Sequence, residues 1–210
     1  MHFLAEGFFL VFLWALYWLC RDRRRYLRHR IGSEAFNNVY RVGRNVFFML
    51  RRKSLNLSGD VASLNKGGIL YSLHFGVWEL MPSTLSRLGF KVGIIANKYN
   101  EGDRSLATGI LDWLLTKWRS VNGVQVFHRE NVLEISRFLR SGGLFGMLVD
   151  GNTFFQKFGK AERLAQICRV PLVPFAAYQE RGRGMLSIGC DIPMLVKTRP
   201  LDYVWFYRSR

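Results

Sequence analysis

The sequence predicts an α/β protein: one sheet with helices on its faces, led by a membrane-anchor helix at the N-terminus. Three observations carry that expectation. From residue 68 onward, short apolar runs alternate with helix-like stretches, the pattern of strands joined through helices. The chain has 210 residues, 49% of them hydrophobic and 15% aromatic. That is room for one domain with a full core, and too apolar for disorder. Finally, residues 3–20 form an apolar run followed at once by arginines.

The first element is that run, FLAEGFFLVFLWALYWLC, whose single charge is Glu6. It is just long enough to span a bilayer, which takes about 20 residues. No Lys or Arg precedes it, and Arg21, Arg23, Arg24, Arg25, Arg28 and Arg30 follow it. A signal peptide carries its charges in the reverse order. The positive-inside rule places residues 21 onward in the cytoplasm, and Trp14, Tyr17 and Trp18 fall where an aromatic belt would lie. A helix lying in the plane of the interface is the rival arrangement. The net charge of +16, from 31 Lys and Arg against 15 acids, calls for a polyanionic partner. The anchor points to an anionic membrane surface. Nucleic acid is the poorer fit, because the basic residues form no known readout motif. Cys20, Cys168 and Cys190 form no CxxC pair, which argues against a disulfide scaffold or a zinc site and suits a reducing compartment.

Residues 34–52 carry Val39, Val42, Val46, Phe47, Met49 and Leu50 at helical spacing, with Arg41, Arg44, Arg51 and Arg52 on the polar side. Those arginines suit either a solvated face or contact with lipid phosphates. Residues 53–67 are polar and read as a connector. The alternation follows: strand 68–73, helix 77–88, strand 91–96, helix 103–119, strand 124–127, and helix 131–140 closed by Gly142-Gly143. Then come strand 144–149 ending at Asp150, helix 160–168, and strands 171–178 and 185–189. Sites in open α/β sheets collect at the C-terminal ends of strands. His74 and Asp150 both fall at such ends.

His74 is followed five positions later by Glu79, across Phe75-Gly76-Val77-Trp78. An imidazole held by a carboxylate is a general base, because the carboxylate fixes the proton on one ring nitrogen and leaves the other to accept one. On an ideal helix five steps rotate about 140°, so the two side chains meet only across a local bend, which Gly76 permits. The same spacing recurs at His29 and Glu34, within the arginine-rich stretch, where His29 reads as an interfacial residue.

These blocks resemble the late acyltransferases of lipid A biosynthesis (the lauroyl/myristoyl acyltransferase family). HFGVWEL at 74–80 is similar to that family's His-x4-acid signature. ILDWLLTKWR at 110–119 resembles its helix with a functional arginine. FHRENVLEISRFLRSGGLFGMLVDGN at 127–152 resembles its run of arginine turn, helix, Gly-Gly and strand ending in Asp. RVPLVPFAA at 169–177 and YVWFYRSR at 203–210 resemble its last strand and its closing segment. The chain departs from the family in being shorter, above all in the loop after Asp150.

The resemblance implies a glycerophosphate-acyltransferase-like domain over 68–210, a mixed sheet flanked by helices. Before it lie the anchor at 1–20 and a basic juxtamembrane and amphipathic region at 21–67. It implies transfer of an acyl chain from acyl carrier protein or acyl-coenzyme A to a hydroxyl of a membrane glycolipid, with no bound cofactor and no metal. His74 would be the base and Glu79 its orienting carboxylate. Arg119, Asp150 and Arg129 would bind substrate or the developing oxyanion, with Asp150 orienting Arg119 or a sugar hydroxyl. Each residue also has a plain structural reading: a core histidine, a first-turn acid, a helix-end arginine, a turn-forming Asp. Two other functions stay open: a catalytically weakened relative that binds lipid or a partner, and a thioester hydrolase using the same base on water. The chain has no Gly-x-Ser-x-Gly elbow to support a serine esterase.

Overall fold

A computed structural model describes residues 33–51, 54–95, 119–128, 130–150 and 155–204. The anchor run at 3–20, the arginines that follow it, most of the helix expected at 103–119, Arg129 and residues 205–210 lie outside the described residues. Among the described residues, no helix is long and apolar enough to cross a membrane.

The chain is α/β, as the alternation predicts. Helix α1 (Ser33–Leu50) is followed by strands β1 (Asn56–Gly59) and β2 (Gly68–Ser72), helix α2 (Leu80–Arg87), and strands β3 (Val92–Ile95) and β4 (Gln125–Phe127). Then come α3 (Val132–Arg140), β5 (Leu144–Leu148), α4 (Phe158–Cys168), β6 (Leu172–Glu180), β7 (Arg183–Ile188) and α5 (Ile192–Thr198). The seven described strands make one mixed sheet in the order β1-β7-β6-β2-β5-β3-β4. All neighbours run parallel except β6 and β7. That pair is a hairpin closed by Arg181 and Gly182, both at positive φ (46° and 77°), as a tight turn matching strand twist requires.

The centre of the sheet is β2 and β5, two of the chain's most continuous apolar runs. Helices cover both faces there, so no polar alternation is needed. On one face Phe48 and Met49 of α1 and Leu80, Met81 and Leu85 of α2 pack on Leu70, Leu144, Phe175 and Leu186. On the other, Ile135 and Phe138 of α3, Ala161 and Ala165 of α4, and Ile192 and Val196 of α5 pack on Ile69, Phe145 and Ala176.

Three expectations are corrected. Residues 53–67 are more than a connector: they hold edge strand β1, parallel to β7, and a 3-10 helix at Val61–Lys66 capped by Asp60, whose side chain accepts from the Ser63 N–H at 3.2 Å. A four-residue edge strand, NLSG, with both ends exposed has no apolar run to reveal it. Helix α2 starts at Leu80, not at 77, because residues 74–79 make the turns that lead out of β2. Helix α5 was not expected. Its signal is Asp191, which caps it by accepting from the Met194 N–H at 2.9 Å, followed by Pro193 in the first turn.

The segment after α5 ties the fold together beside the His74 turn. Tyr203 bridges to Phe75, the Gly76 N–H donates to the Asp202 carbonyl at 2.8 Å, and the Val204 N–H donates to the His74 carbonyl at 2.9 Å. The Asp202 carboxylate is buried and accepts from Arg199 Nε at 2.9 Å and Asn45 Nδ2 at 3.3 Å, with Arg41 Nε at 3.5 Å. Asn38 Nδ2 donates to the carbonyls of Leu201 and Tyr203 at 3.0 and 3.1 Å. One carboxylate therefore joins α1 to the segment that supports the turn. Removing it strands a buried amide and two guanidiniums that still touch water. Asp202→Ala is expected to destabilise the fold by about 3 kcal/mol, the low end for a broken buried ion pair. A melting temperature within 2 °C or so of the parent, measured in detergent, would contradict that role.

Candidate functional site

Strand pairing builds the site. β2 and β5 run parallel with Ser72 opposite Leu148. Two residues further along each chain come His74 and Asp150, opposite one another and, by the period of two, on one face. The Asp150 carboxylate, with no exposed surface, takes both hydrogens that His74 offers it. The backbone N–H donates to Oδ2 at 3.0 Å, and ring Nδ1 lies 2.7 Å from Oδ1. A carboxylate is an acceptor only, so Nδ1 carries the proton, and in the neutral ring the lone pair lies on Nε2. Nε2 is therefore the nitrogen that would meet a substrate proton.

The chain then bends through Gly76, at φ +60°. A Cβ there would stand 2.1 Å from the Ala177 carbonyl oxygen, so the turn admits glycine alone. His74 stacks edge-on against Trp78, ring centroids 5.2 Å apart. The expected bend between His74 and Glu79 is present, but it serves a different pairing. Glu79 is paired with Arg119: Arg119 Nε donates to Oε2 at 2.9 Å, and an Nη donates to Oε1. The carboxylate on the ring of His74 is Asp150. The sequence reading had assigned Glu79 to that task and Asp150 to Arg119 or a sugar hydroxyl. The structure exchanges the two acids. Glu79 does sit at the start of α2, as a first-turn acid would, yet its side chain makes no cap hydrogen bond there.

His74 of the first pair and both members of the second open on one cavity of about 520 Å³, within the usual range of small-molecule sites. His74, Trp78, Glu79 and Arg119 line one part of it. Apolar side chains of β3, β5, α3 and α4 line much of the remainder, among them Ile95, Ile135, Met147 and Leu164. Lys157, Lys160 and Arg163 also line it. Reading the sequence by motif missed these three. Their signal is a three-residue step that runs from Lys157 into the helix expected at 160–168.

Of the sequence-predicted site residues, the structure thus brings His74, Glu79 and Arg119 to one cavity, with Asp150 buried and bonded to His74, and Arg129 lies outside the described residues. Burial pushes the Cys190 thiol up to about 11, and burial likewise raises the phenols of Tyr71 and Tyr178; none of the three lines the cavity. Cys190 is therefore a poor nucleophile at neutral pH. Among the described residues, no cluster of three or more His, Cys, Asp or Glu is placed to hold a metal ion.

No protein-family model matches this chain, and no curated protein sequence matches it.

Proposed function

We propose that this chain is a membrane-bound acyltransferase. It moves a fatty acyl chain from an acyl thioester, on acyl carrier protein or coenzyme A, to a hydroxyl of a glycolipid of the lipid A precursor type. The work takes place at the cytoplasmic side of a bacterial inner membrane. The observation that carries this reading is the imidazole of His74, held at 2.7 Å by a buried carboxylate, at an apolar cavity with a guanidinium beside it.

The chemistry follows from those groups. His74 Nε2 takes the proton of the acceptor hydroxyl as its oxygen attacks the thioester carbonyl. Asp150 balances the imidazolium that forms. The tetrahedral intermediate places negative charge on the former carbonyl oxygen, which calls for a preorganised donor. Arg119, held in a fork by Glu79, is a cationic donor on the same part of the cavity lining as His74. Collapse breaks the carbon–sulfur bond, the thiolate leaves, and the imidazolium returns its proton to the sulfur. The products are an ester and a free thiol.

The test is an assay of salt-washed membranes carrying the full chain, supplied with radiolabelled acyl carrier protein thioester and a lipid A precursor. Acylated glycolipid should form in the pellet fraction, because burial of apolar side chains in lipid is not screened by salt. Free fatty acid released at the same rate without acceptor would make the chain a hydrolase. No turnover of either kind would leave a binding protein.

Arg119 gives a sharper test. A lysine cannot reproduce the planar fork that meets both oxygens of Glu79. Arg119→Lys should lower kcat/KM at least about tenfold, equal to 1.4 kcal/mol of transition-state stabilisation, with the melting temperature nearly unchanged. Kinetics like those of the parent would return Arg119 to a helix-end role.

A further inference from the structure

Helix α4 carries Lys160, Glu162 and Arg163, with Lys157 at its N-cap and Arg169 at its C-cap. Lys157, Lys160 and Arg163 line the cavity and Glu162 does not. Among the described residues, none of the three has a carboxylate within ion-pair distance. Among the described residues, the one acid of the cavity lining, Glu79, is already matched by Arg119. The row therefore adds uncompensated positive charge along one wall. At 1.5 Å rise per residue it runs about 9 Å, longer than a single carboxylate needs.

The same helix supplies apolar side chains to the cavity. Leu164 and Ile167 stand beside the row, and Val132 and Ile135 face them from α3. Val132 and Ile167 are 55% and 58% exposed, which leaves an apolar lip next to the cations. A solvated helix face would mix acids with its lysines and would not border an apolar lip. Cations beside an apolar channel fit an amphiphile: a chain in the channel and an anion on the row. A phosphate suits the row best. It offers oxygens to an arginine fork and to two ammonium groups together.

We propose that Lys157, Lys160 and Arg163 form a phosphate-binding subsite for an acyl-bearing ligand of this cavity. The assignment of an acyl ligand rests on the acyltransferase reading. Two ligands of that reaction share the chemistry: the donor, whose phosphopantetheine arm carries a phosphate at the end opposite its thioester, and a phosphorylated glycolipid acceptor.

Binding measured without turnover separates this subsite from the activity itself. Two pairs of probes are titrated into the full-length protein in detergent, followed by tryptophan fluorescence. One pair is S-dodecyl phosphopantetheine, a thioether that cannot react, and S-dodecyl pantetheine. The other is an acylated glucosamine phosphate and its dephosphorylated form. The parent should bind the phosphate-bearing member of at least one pair about tenfold or more tightly. The preference should shrink to within about twofold in the Lys160→Gln, Arg163→Gln double variant, both of whose sites are exposed, with the melting temperature unchanged. The pair that shows the preference names the source of the phosphate. No phosphate preference in either pair, or a preference that survives the double variant, overturns the subsite. If the preference holds while transfer is never observed, the subsite stands and the enzymatic reading falls.

Discussion

His74→Ala is expected to lower kcat for acyl transfer by about 10²–10⁴ and to leave the melting temperature nearly where it was. The first half follows from losing the nitrogen that accepts the substrate proton. The second half follows from Asp150. Half of what that buried carboxylate binds is the backbone N–H of residue 74, at 3.0 Å, which alanine keeps. The Val204 bond to the carbonyl of residue 74 and the Gly76 bond to Asp202 are also backbone bonds, and they survive the change. The carboxylate is therefore not orphaned, and the turn has no reason to open. Activity above about a tenth of the parent would remove His74 from the role of base. His29→Ala is the matched control, since it destroys the second copy of the spacing and should leave kcat unchanged. An essential His29 would mean that the reaction uses the other copy.

The exchange of Asp150 and Glu79 shows what the sequence made legible and what it did not. A histidine at a strand end is visible in a linear reading, because an apolar run stops one residue before it and a glycine follows two after. So is the alternation that produces an α/β sheet, and ten of the expected segments hold an element of the expected kind in the described residues. The partner of the histidine is not visible, because it depends on which strands are neighbours. β2 and β5 are separated in sequence by α2, β3, β4 and α3, and nothing in either run says that they lie side by side. With the pairing unknown, the nearest acid in sequence is the natural choice, and Glu79 is five residues away. With the register of Ser72 to Leu148 known, Asp150 follows at once.

The same limit applies to the segment that supports the turn. Asp202 looks like one more acid near a chain end, between a proline turn and a tyrosine. Its contacts with Arg41 and Asn45 span more than 150 positions, a separation no local pattern encodes. Helix α1 is legible as amphipathic, and in sequence its arginines suit solvent or lipid. One of them, Arg41, faces a buried carboxylate instead. That contact gives α1 a structural task, since it bonds the helix to the segment holding the His74 carbonyl.

Asp150→Asn is expected to lower kcat by about 10²–10⁴, close to the loss in His74→Ala, although the side chain changes by one atom. The carboxylate accepts twice, once from the backbone N–H of His74 and once from Nδ1–H. An amide has one oxygen and one NH₂ to put in the same two places. If the oxygen stays on the backbone N–H, the NH₂ faces Nδ1 at the 2.7 Å now spanned by an acceptor. Nδ1 must then accept, and the neutral ring carries its proton on Nε2 instead, where it can no longer take one from a hydroxyl. If the amide turns over, its NH₂ meets the backbone N–H, donor against donor, inside a fully buried site. In neither orientation is the imidazolium of the transition state balanced by a charge. The fold should survive the first orientation, so the melting temperature separates lost chemistry from lost structure. Glu79→Gln is the comparison that decides between the two acids. It keeps one acceptor for Arg119 and leaves the ring of His74 on Asp150, so its loss should resemble that of Arg119→Lys, about tenfold. A Glu79→Gln variant as inactive as His74→Ala, beside an active Asp150→Asn, would restore Glu79 as the carboxylate that the base depends on.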